Sequence, residues 1–313
     1  MILLDRRDLR RATVLLGAGV VVAALPLVVG REDVLNFAFL TLLAIASAQA
    51  WNVLGGYAGQ VNLGHAAFFG ASALVTRTLW GEGVPVPVAM LAGTGVAMVA
   101  GLVLGLVAFR LRGAYFAIGT LVIAEILRIT VGNVLPEIST LPTSTIAGYR
   151  LVHRFYAALA LAALAIVAAA LLSGSRAGLG MRAIREDEDA AEAAGVGALA
   201  LKLGALTVST ALTGLCGGLF AYYHISYYPQ HPFGPNWTFD AILMTYVGGV
   251  GTLHGPVLGA VFYTALKEYL ATRWVDFHLL IFGALFVVIV LVLPGGLVEL
   301  GARVRDRLGR RRG

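Results

Sequence analysis

A nearly uncharged run constrains this fold more than any other feature of the sequence. Between Val34 and Phe109 the only charged residues are Arg77 and Glu82. Across the 313 residues, 59% are hydrophobic and 13% are charged, whereas a soluble domain has about 25% charged residues. A core formed in water could not bury this much apolar surface, so lipid has to be the solvent for most of the chain. The sequence therefore predicts an all-α, polytopic integral membrane protein.

Segments of about 20 apolar residues are long enough to cross a bilayer as helices. One candidate segment, 238–272, is too long for one straight helix and is interrupted by glycines and a proline. It predicts a re-entrant hairpin or two shorter helices. The total is eight spans plus a re-entrant segment, or ten spans, which gives 8–10 transmembrane helices. The candidate spans are 13–30, 35–54, 62–80, 85–109, 113–131, 155–173, 199–223, 238–272 and 276–294.

Basic clusters predict the orientation of the chain. "RRDLRR" at Arg6–Arg11 and "RVRDRLGRRR" at Arg303–Arg312 lie beyond the outermost spans. Because positive loops stay in the cytoplasm, we expect both termini to be cytoplasmic. The net charge of +6 then reflects membrane orientation, and no nucleic-acid partner is expected. The predicted division is a basic cytoplasmic N-terminus (1–12), a transmembrane domain (13–300) with a cytoplasmic loop at 175–200, and a basic cytoplasmic tail (301–313).

Motifs for enzymatic chemistry are missing from the sequence. No G-x-x-x-x-G-K-[ST] phosphate loop occurs, and neither does H-E-x-x-H, C-x-x-C or G-x-S-x-G. The six histidines show no metal-ligand spacing. We therefore expect this chain to have no catalytic residues, no metal site, no cofactor and no ATPase site of its own.

The first glycine-rich stretch, "GGYAGQVNLGH" at 55–65, predicts a helix break that lines a cavity. Non-helical backbone at membrane depth is tolerated where protein or water surrounds it, and transporters hold or pass substrate at such breaks. An equally supported interpretation is that the polar side chains only cap the broken helix ends and bond between helices. The substrate-pathway candidates here are Gln60, Asn62, Gly64, His65 and Phe68.

Further pathway candidates come from a second glycine cluster and from charged residues within spans. Gly248, Gly249 and Gly251 predict another helix break by the same argument. Glu125 is expensive in lipid, and with Arg128 three residues on it predicts either a pathway role or a structural ion pair. Three other charged residues near span edges are expected to be interfacial or to snorkel, namely Asp240, Lys267 and Glu268.

One polar segment predicts a short cytoplasmic helix between two spans. Eight charges lie between Arg176 and Glu192, in a stretch rich in helix-forming alanine, glutamate and arginine. Gly195 and Gly197 offer a stop for that helix.

Five ordered blocks resemble a known transporter family. "WNVLGGYAGQVNLGHAAFFGASA" at 51–73 resembles the signature of the inner-membrane permeases of branched-chain amino-acid ABC transporters, of the LivM type. The other four blocks that are similar to this family follow in order and cover most of the chain from about Leu35 onward. They are "RLRGAYFAIGTLVIAEILRI" (110–129), "GLGMRAIREDEDAAEAAGV" (178–196), "LMTYVGGVGTLHGPVLGA" (243–260) and "LPGGLVEL" (293–300).

The resemblance implies a multi-pass subunit of the bacterial inner membrane that imports amino acids. It implies a second, related permease subunit, two separate ATPase subunits that bind the ATP, and a periplasmic or extracellular solute-binding protein. In this family a cytoplasmic loop helix inserts into a groove on the ATPase, which here would be "AAEAAG" at 190–195. The coupling residues so implied are Arg182, Arg185, Glu186, Ala191, Glu192, Ala193 and Gly195.

Other functions and substrates stay open at this stage. A self-sufficient, proton-coupled secondary transporter would use Glu125 or His65 as a relay. A structural membrane protein without transport activity is a third class. The segment 136–153 lacks the paired glycines usual in the family at this place, and the family also handles amides, urea and aromatic acids. The resemblance implies branched-chain or related hydrophobic amino acids as substrates, but the sequence alone does not determine the substrate.

Overall fold

A computed structural model describes residues 6–28, 30–141, 143, 146, 148–273, 283–284, 287 and 295–299 of the chain. Nearly all regular structure in this part is helical. The helices are α1 (Arg6–Ala23), α2 (Leu25–Val28), α3 (Glu32–Trp51), α4 (His65–Gly81), α5 (Val86–Ala108), α6 (Ala114–Val134), α7 (Leu151–Ser173), α8 (Arg176–Glu186), α9 (Glu188–Ala193), α10 (Ala198–Tyr223), α11 (Asn236–Gly248) and α12 (Gly255–Arg273).

Four short elements accompany these helices in the described part of the chain. A π-helical segment, Asn52–Tyr57, continues α3 without interruption, and a 3₁₀ turn, His231–Phe233, precedes α11. Two strands of two residues each, β1 (Ser139–Thr140) and β2 (Ser226–Tyr227), pair antiparallel.

Among the described residues, five helical segments are long and apolar enough to cross a membrane, and the prediction of an all-α, polytopic membrane protein is confirmed. The predicted spans 35–54, 85–109, 113–131, 155–173 and 199–223 correspond to them. The expected total of 8–10 spans stays a prediction, and span 276–294 and tail 301–313 fall almost wholly outside the described residues. The five segments are Glu32–Tyr57, Val86–Ala108, Ala114–Val134, Leu151–Ser173 and Ala198–Tyr223.

The predicted span 238–272 is two helices, α11 and α12, which is one of the two forms expected for it. Their backbones meet at glycine. A β-carbon added at Gly248 would clash with the Gly255 carbonyl oxygen, and one added at Gly259 would clash with the Met244 carbonyl oxygen. Small residues at a helix contact let the backbones approach this closely. The glycines of this segment therefore serve both the break and the packing.

Helix α10 forms the centre of the bundle and packs against α3, α4 and α5. Its side chains Cys216, Leu219 and Phe220 are buried. At Gly217 the helix lies directly against α4, where a β-carbon would clash with the Phe69 carbonyl oxygen. Lipid tails are as apolar as the core, so close packing of this kind holds helices together in a membrane.

Two ends of the bundle differ in construction. The break end contains loop 58–64, loop 249–254 and the helices α8 and α9, and the strand end contains β1 and β2. At the strand end the buried Arg77 donates to the Ser139 hydroxyl at 2.9 Å and to the His224 and Ile225 carbonyls. One arginine thus joins α4 to both strand segments, because its planar fork carries five donors.

Two glycines of α10 give a test of this packing. We expect Gly217→Ala to cost about 1–3 kcal/mol through overpacking against α4 and to lower the thermal unfolding midpoint of the protein purified in detergent. Gly204→Ala is the matched control, since nothing lies within 4 Å of a β-carbon there, and it should leave the midpoint unchanged or raise it by the helix propensity of alanine. Equal midpoints for the two variants would contradict the packing argument.

Candidate transport pathway and coupling surface

The first helix break is held by a compact set of hydrogen bonds. Trp51 Nε1 donates to the Asn62 carbonyl at 2.9 Å, and the Asn62 side-chain oxygen accepts from Gly64 N at 2.6 Å. Leu63 N donates to Thr120 Oγ1 at 3.1 Å, which joins the loop to α6. Asn62 thereby closes an Asx-type turn and is buried by it. In the structure Asn62 therefore caps the broken helix end, as the second interpretation of this break proposed.

His65 begins α4 in a buried polar site. Its Nε2 lies 2.7 Å from Ser209 Oγ, and Ser209 Oγ donates to the Ala50 carbonyl at 2.7 Å. These two bonds link α4, α10 and α3 through buried side chains.

The two glycine breaks lie against each other at the break end. Asn52 Nδ2 donates to the Thr252 carbonyl at 3.0 Å, and Asn52 Oδ1 accepts from Gly251 N at 2.8 Å. Gln49 Nε2 donates to the Leu253 carbonyl at 2.6 Å. Both side chains are fully buried, so they satisfy loop backbone that has no helical partner of its own.

These two residues were missed by sequence reasoning, which concentrated on the glycines that follow them. Their signal was present, because Gln49 and Asn52 are amides in an otherwise apolar span. Polar side chains in a membrane helix face the bundle interior and find partners there.

Arg185, a predicted coupling residue, connects α8 to both breaks. Its Nη1 donates to the Gly56 carbonyl at 2.6 Å. A β-carbon at Gly59 would lie 2.9 Å from Arg185 Cγ, and one at Gly251 would clash with its guanidinium. Both glycines have positive φ, +69° and +76°, which other residues rarely adopt. Glycine at these two places therefore serves the turns and makes room for the arginine.

Helix α9 is fixed at its start by three acidic side chains. Asp187 Oδ1 caps the helix by accepting from Ala190 N at 3.0 Å. Glu188 pairs with the buried Lys202 of α10 at 2.6 Å, and Asp189 pairs with Arg112 at 2.8 Å. The hydrogen bond and charge of Asp189 raise the pKa of Arg112 above its usual value. Both charged pairs tie α9 to the ends of transmembrane helices.

The seven predicted coupling residues fall into three groups. Arg182 and Arg185 donate to backbone carbonyls of the helix bundle, since Arg182 Nη1 reaches the Ser173 carbonyl at 3.0 Å. Ala191 is buried with Ile184 in a small apolar cluster. The remaining four are exposed and form the free surface of the α8–α9 pair, namely Glu186, Glu192, Ala193 and Gly195.

A large cavity lies between α3, α6, α11 and α12. Its volume is about 780 Å³, within the usual range of about 300–1,000 Å³ for small-molecule sites. Helix α3 contributes an apolar wall, including Phe37, Leu40 and Leu43, and aromatic rings come from Tyr228 before α11 and from Trp237 in its first turn.

Two ion pairs line this cavity. Arg128 donates to both carboxylate oxygens of Glu125, at 2.9 and 2.5 Å. The ion pair fits the structural interpretation and its place in the cavity wall fits the pathway interpretation, so both stay predictions. Asp240 accepts from Tyr263 OH at 2.5 Å and pairs with Lys267 Nζ at 3.0 Å. Asp240 was expected to be interfacial and Lys267 to snorkel, which stay predictions, and no pair between the two was foreseen. The hairpin of α11 and α12 brings them together, which a span-by-span reading of the sequence does not foresee.

The predicted pathway residues lie mostly elsewhere. Glu125 lines the 780 Å³ cavity, whereas the other eight candidates are absent from its wall. Asn62, Gly64 and Phe68 line a separate pocket of about 10 Å³, which is about the space of one water molecule. Gln60 bonds locally to the Ala58 carbonyl at 3.2 Å, and the three glycines 248, 249 and 251 belong to the second break.

The strand end holds a second buried arginine that sequence reasoning missed. Arg154 of α7 donates to the Tyr222 carbonyl at 2.8 Å and lies 3.6 Å from the ring centroid of Tyr149. Desolvation raises the pKa of Tyr149, against the opposing charge of Arg154. Burial likewise lowers the pKa of His224 and favours its neutral form.

Comparison with known proteins identifies the family of this chain. A family profile described as "Branched-chain amino acid transport system / permease component" matches residues 32–290. The chain belongs to this family. It is a permease component of an amino-acid transport system, which confirms the resemblance found in the sequence blocks.

Named relatives agree with that membership. The permease is 27% identical over 338 aligned residues to "High-affinity branched-chain amino acid transport system permease protein LivM" of Salmonella typhimurium, covering 95% of this chain and 77% of the relative. The protein of the same name from Escherichia coli has the same identity and coverage. A "Probable branched-chain amino acid transport permease protein LivM" of Methanocaldococcus jannaschii is 26% identical over 38% of each chain. No solved structure matches the permease significantly.

Asn52 and Gln60 give a test of how the breaks are held. We expect Asn52→Ala to cost about 1–3 kcal/mol, because it leaves two half-buried backbone groups, Gly251 N–H and the Thr252 carbonyl, without this partner and opens a space at a fully buried side chain. Gln60→Ala removes one local bond of a half-buried side chain and should cost less than about 1 kcal/mol. Thermal unfolding midpoints of the purified variants measure the difference. A larger loss for Gln60→Ala would contradict the conclusion that Asn52 holds the two breaks together.

Proposed function

We propose that this permease is a transmembrane subunit of a binding-protein-dependent ABC importer. Its partners are a second, related permease subunit, two ATPase subunits that bind ATP, and a periplasmic or extracellular solute-binding protein, with membrane lipid around it. The substrates are branched-chain or related hydrophobic amino acids, and the location is the bacterial inner membrane with both termini cytoplasmic. Family membership supports this assignment, because the matching family is a branched-chain amino acid permease component.

The observation that carries the proposal is the connection from α8 to both helix breaks. Arg185 donates to Gly56 in the first break and lies against Gly251 in the second. Three of the helices that flank the breaks, α3, α11 and α12, also line the cavity. A displacement of the α8–α9 pair is therefore transmitted to the walls of the cavity through a short chain of direct contacts.

The free surface of the α8–α9 pair suits a contact with an ATPase. Glu186, Glu192, Ala193 and Gly195 are exposed, while the inner side of the pair is held by buried contacts and the Glu188–Lys202 pair. Because the pair is held rigidly to the bundle, force applied at its free surface would reach the bundle with little lost in bending.

The alternative function, proton-coupled secondary transport, has weaker support. It needs a relay residue, yet Glu125 is engaged by Arg128 through two hydrogen bonds and His65 is engaged by Ser209. Uptake by the permease alone, driven by an ion gradient without an ATPase subunit, would favour the alternative.

A charge reversal on the free surface tests the proposal. We expect Glu192→Lys to lower ATP-driven uptake in proteoliposomes at least about fivefold, because it places a cation in the contact with the ATPase, while the amount of protein in the membrane is unchanged. Glu82→Lys is the control, since Glu82 is an exposed acidic residue beyond the far end of α4. Equal uptake by the wild type and Glu192→Lys would contradict this coupling surface.

A further inference from the structure

We propose that the 780 Å³ cavity binds the ammonium and carboxylate groups of a zwitterionic α-amino acid, through Asp240 and Lys267, with Glu125 and Arg128 completing the charge pattern. The inference rests on the proposed function, because it names the groups that would recognise the transported solute.

Four of the five charged residues in this wall form two opposite pairs, and the fifth is Glu268. Asp240 and Lys267 come from α11 and α12, and Glu125 and Arg128 come from α6. Charged side chains within transmembrane helices are costly and mark substrate pathways. Within each of the two pairs one charge satisfies the other, so a ligand that separates a pair has to offer both an anion and a cation to replace what it displaces.

Asp240 and Lys267 are the better placed pair for such an exchange. Asp240 accepts two hydrogen bonds, from Tyr263 OH at 2.5 Å and Lys267 Nζ at 3.0 Å. Lys267 is 49% exposed and Asp240 is 26% exposed, so both are reachable from the cavity. A ligand ammonium can take the place of Nζ at the carboxylate, and the freed Nζ can then bind the ligand carboxylate.

A ligand with a single charge would be rejected by the same arrangement. An amine without a carboxylate would occupy Asp240 and leave Lys267 without a partner, and a carboxylic acid without an amine would do the reverse. Sites built to pair polar groups discriminate strongly against analogues that leave one of them unpaired.

The rest of the wall fits an apolar side chain. The same cavity is lined by three apolar side chains of α3, Phe37, Leu40 and Leu43, and by Trp237 of α11. Its volume of about 780 Å³ leaves room for aliphatic and aromatic side chains of different sizes. The expected ligand class is therefore zwitterionic amino acids with apolar side chains, selected by their charged ends more than by size.

Cysteine labelling can test this site directly. The chain has one cysteine, Cys216, and it is buried, so the parent protein gives a low background with a methanethiosulfonate reagent. Ala44→Cys places a thiol in the cavity wall. In the permease assembled with its ATPase partners, saturating leucine should slow labelling at least about fivefold, while leucinamide and 4-methylpentanoate should slow it less than twofold.

Variants of the ion pair complete the test. Lys267→Gln, at a half-exposed position, and Asp240→Asn should each raise the leucine concentration for half-protection about tenfold, or about 1.4 kcal/mol. Arg31→Gln breaks an exposed pair with Asp33 outside the cavity and should change nothing. The unfolding midpoint identifies a variant that fails to fold. If Asp240→Asn does not fold, the half-protection concentration of Lys267→Gln alone tests the binding site.

Protection by leucinamide or 4-methylpentanoate equal to that by leucine, or unchanged protection in Lys267→Gln, overturns the inference. Absence of any protection by leucine overturns it as well. A separate measurement tests the proposed function, namely ATP-driven leucine uptake by proteoliposomes that contain the wild-type permease and its ATPase partners. Uptake without the labelling pattern refutes this binding site alone, whereas no ATP-driven uptake with any amino acid refutes the importer itself.

Discussion

The contact between the two helix breaks is the interaction on which the rest of the structure depends. Lipid offers no hydrogen bonds, so backbone that leaves the helix at membrane depth must find partners within the protein. Here each break supplies what the other lacks. Asn52 bonds to the backbone of residues 251 and 252 through both ends of its amide, and Arg185 closes the group from α8 by bonding to Gly56. Breaks that would be costly singly are satisfied as a pair.

The close packing and the helix breaks lie in different parts of the bundle. Helix α10 is held in the centre by close glycine contacts, whereas α3, α11 and α12 each end at a break. Those three helices line the cavity. Motion at the breaks would therefore change the cavity while the centre stays packed, and the ion pairs in the cavity wall would move with α11 and α12.

Sequence reasoning predicted the fold class, both helix breaks and, among its nine candidate spans, the five membrane-length helices found in the described residues, because apolar length and glycine clustering are local signals. The family was recognised from five ordered sequence blocks. Sequence reasoning did not predict which elements meet. Asp240 and Lys267 lie 27 positions apart, and Asn52 lies 199 positions from Gly251, so their pairing depends on how the helices pack. For the same reason the cavity was expected around Asn62 and His65, whereas these residues cap a break and join helices.

Arg185→Gln tests the central claim most directly, namely that α8 acts on the cavity through the paired breaks. The measurement is the number of solute molecules imported per ATP hydrolysed in proteoliposomes, with Arg182→Gln as the control one turn away on α8, where the arginine contacts only the Ser173 carbonyl by hydrogen bond. The account predicts that Arg185→Gln keeps hydrolysing ATP but lowers this ratio about tenfold, which corresponds to about 1.4 kcal/mol of lost coupling, while Arg182→Gln stays within twofold of the wild type. An unchanged ratio in Arg185→Gln, or an equal loss in both variants, would contradict it.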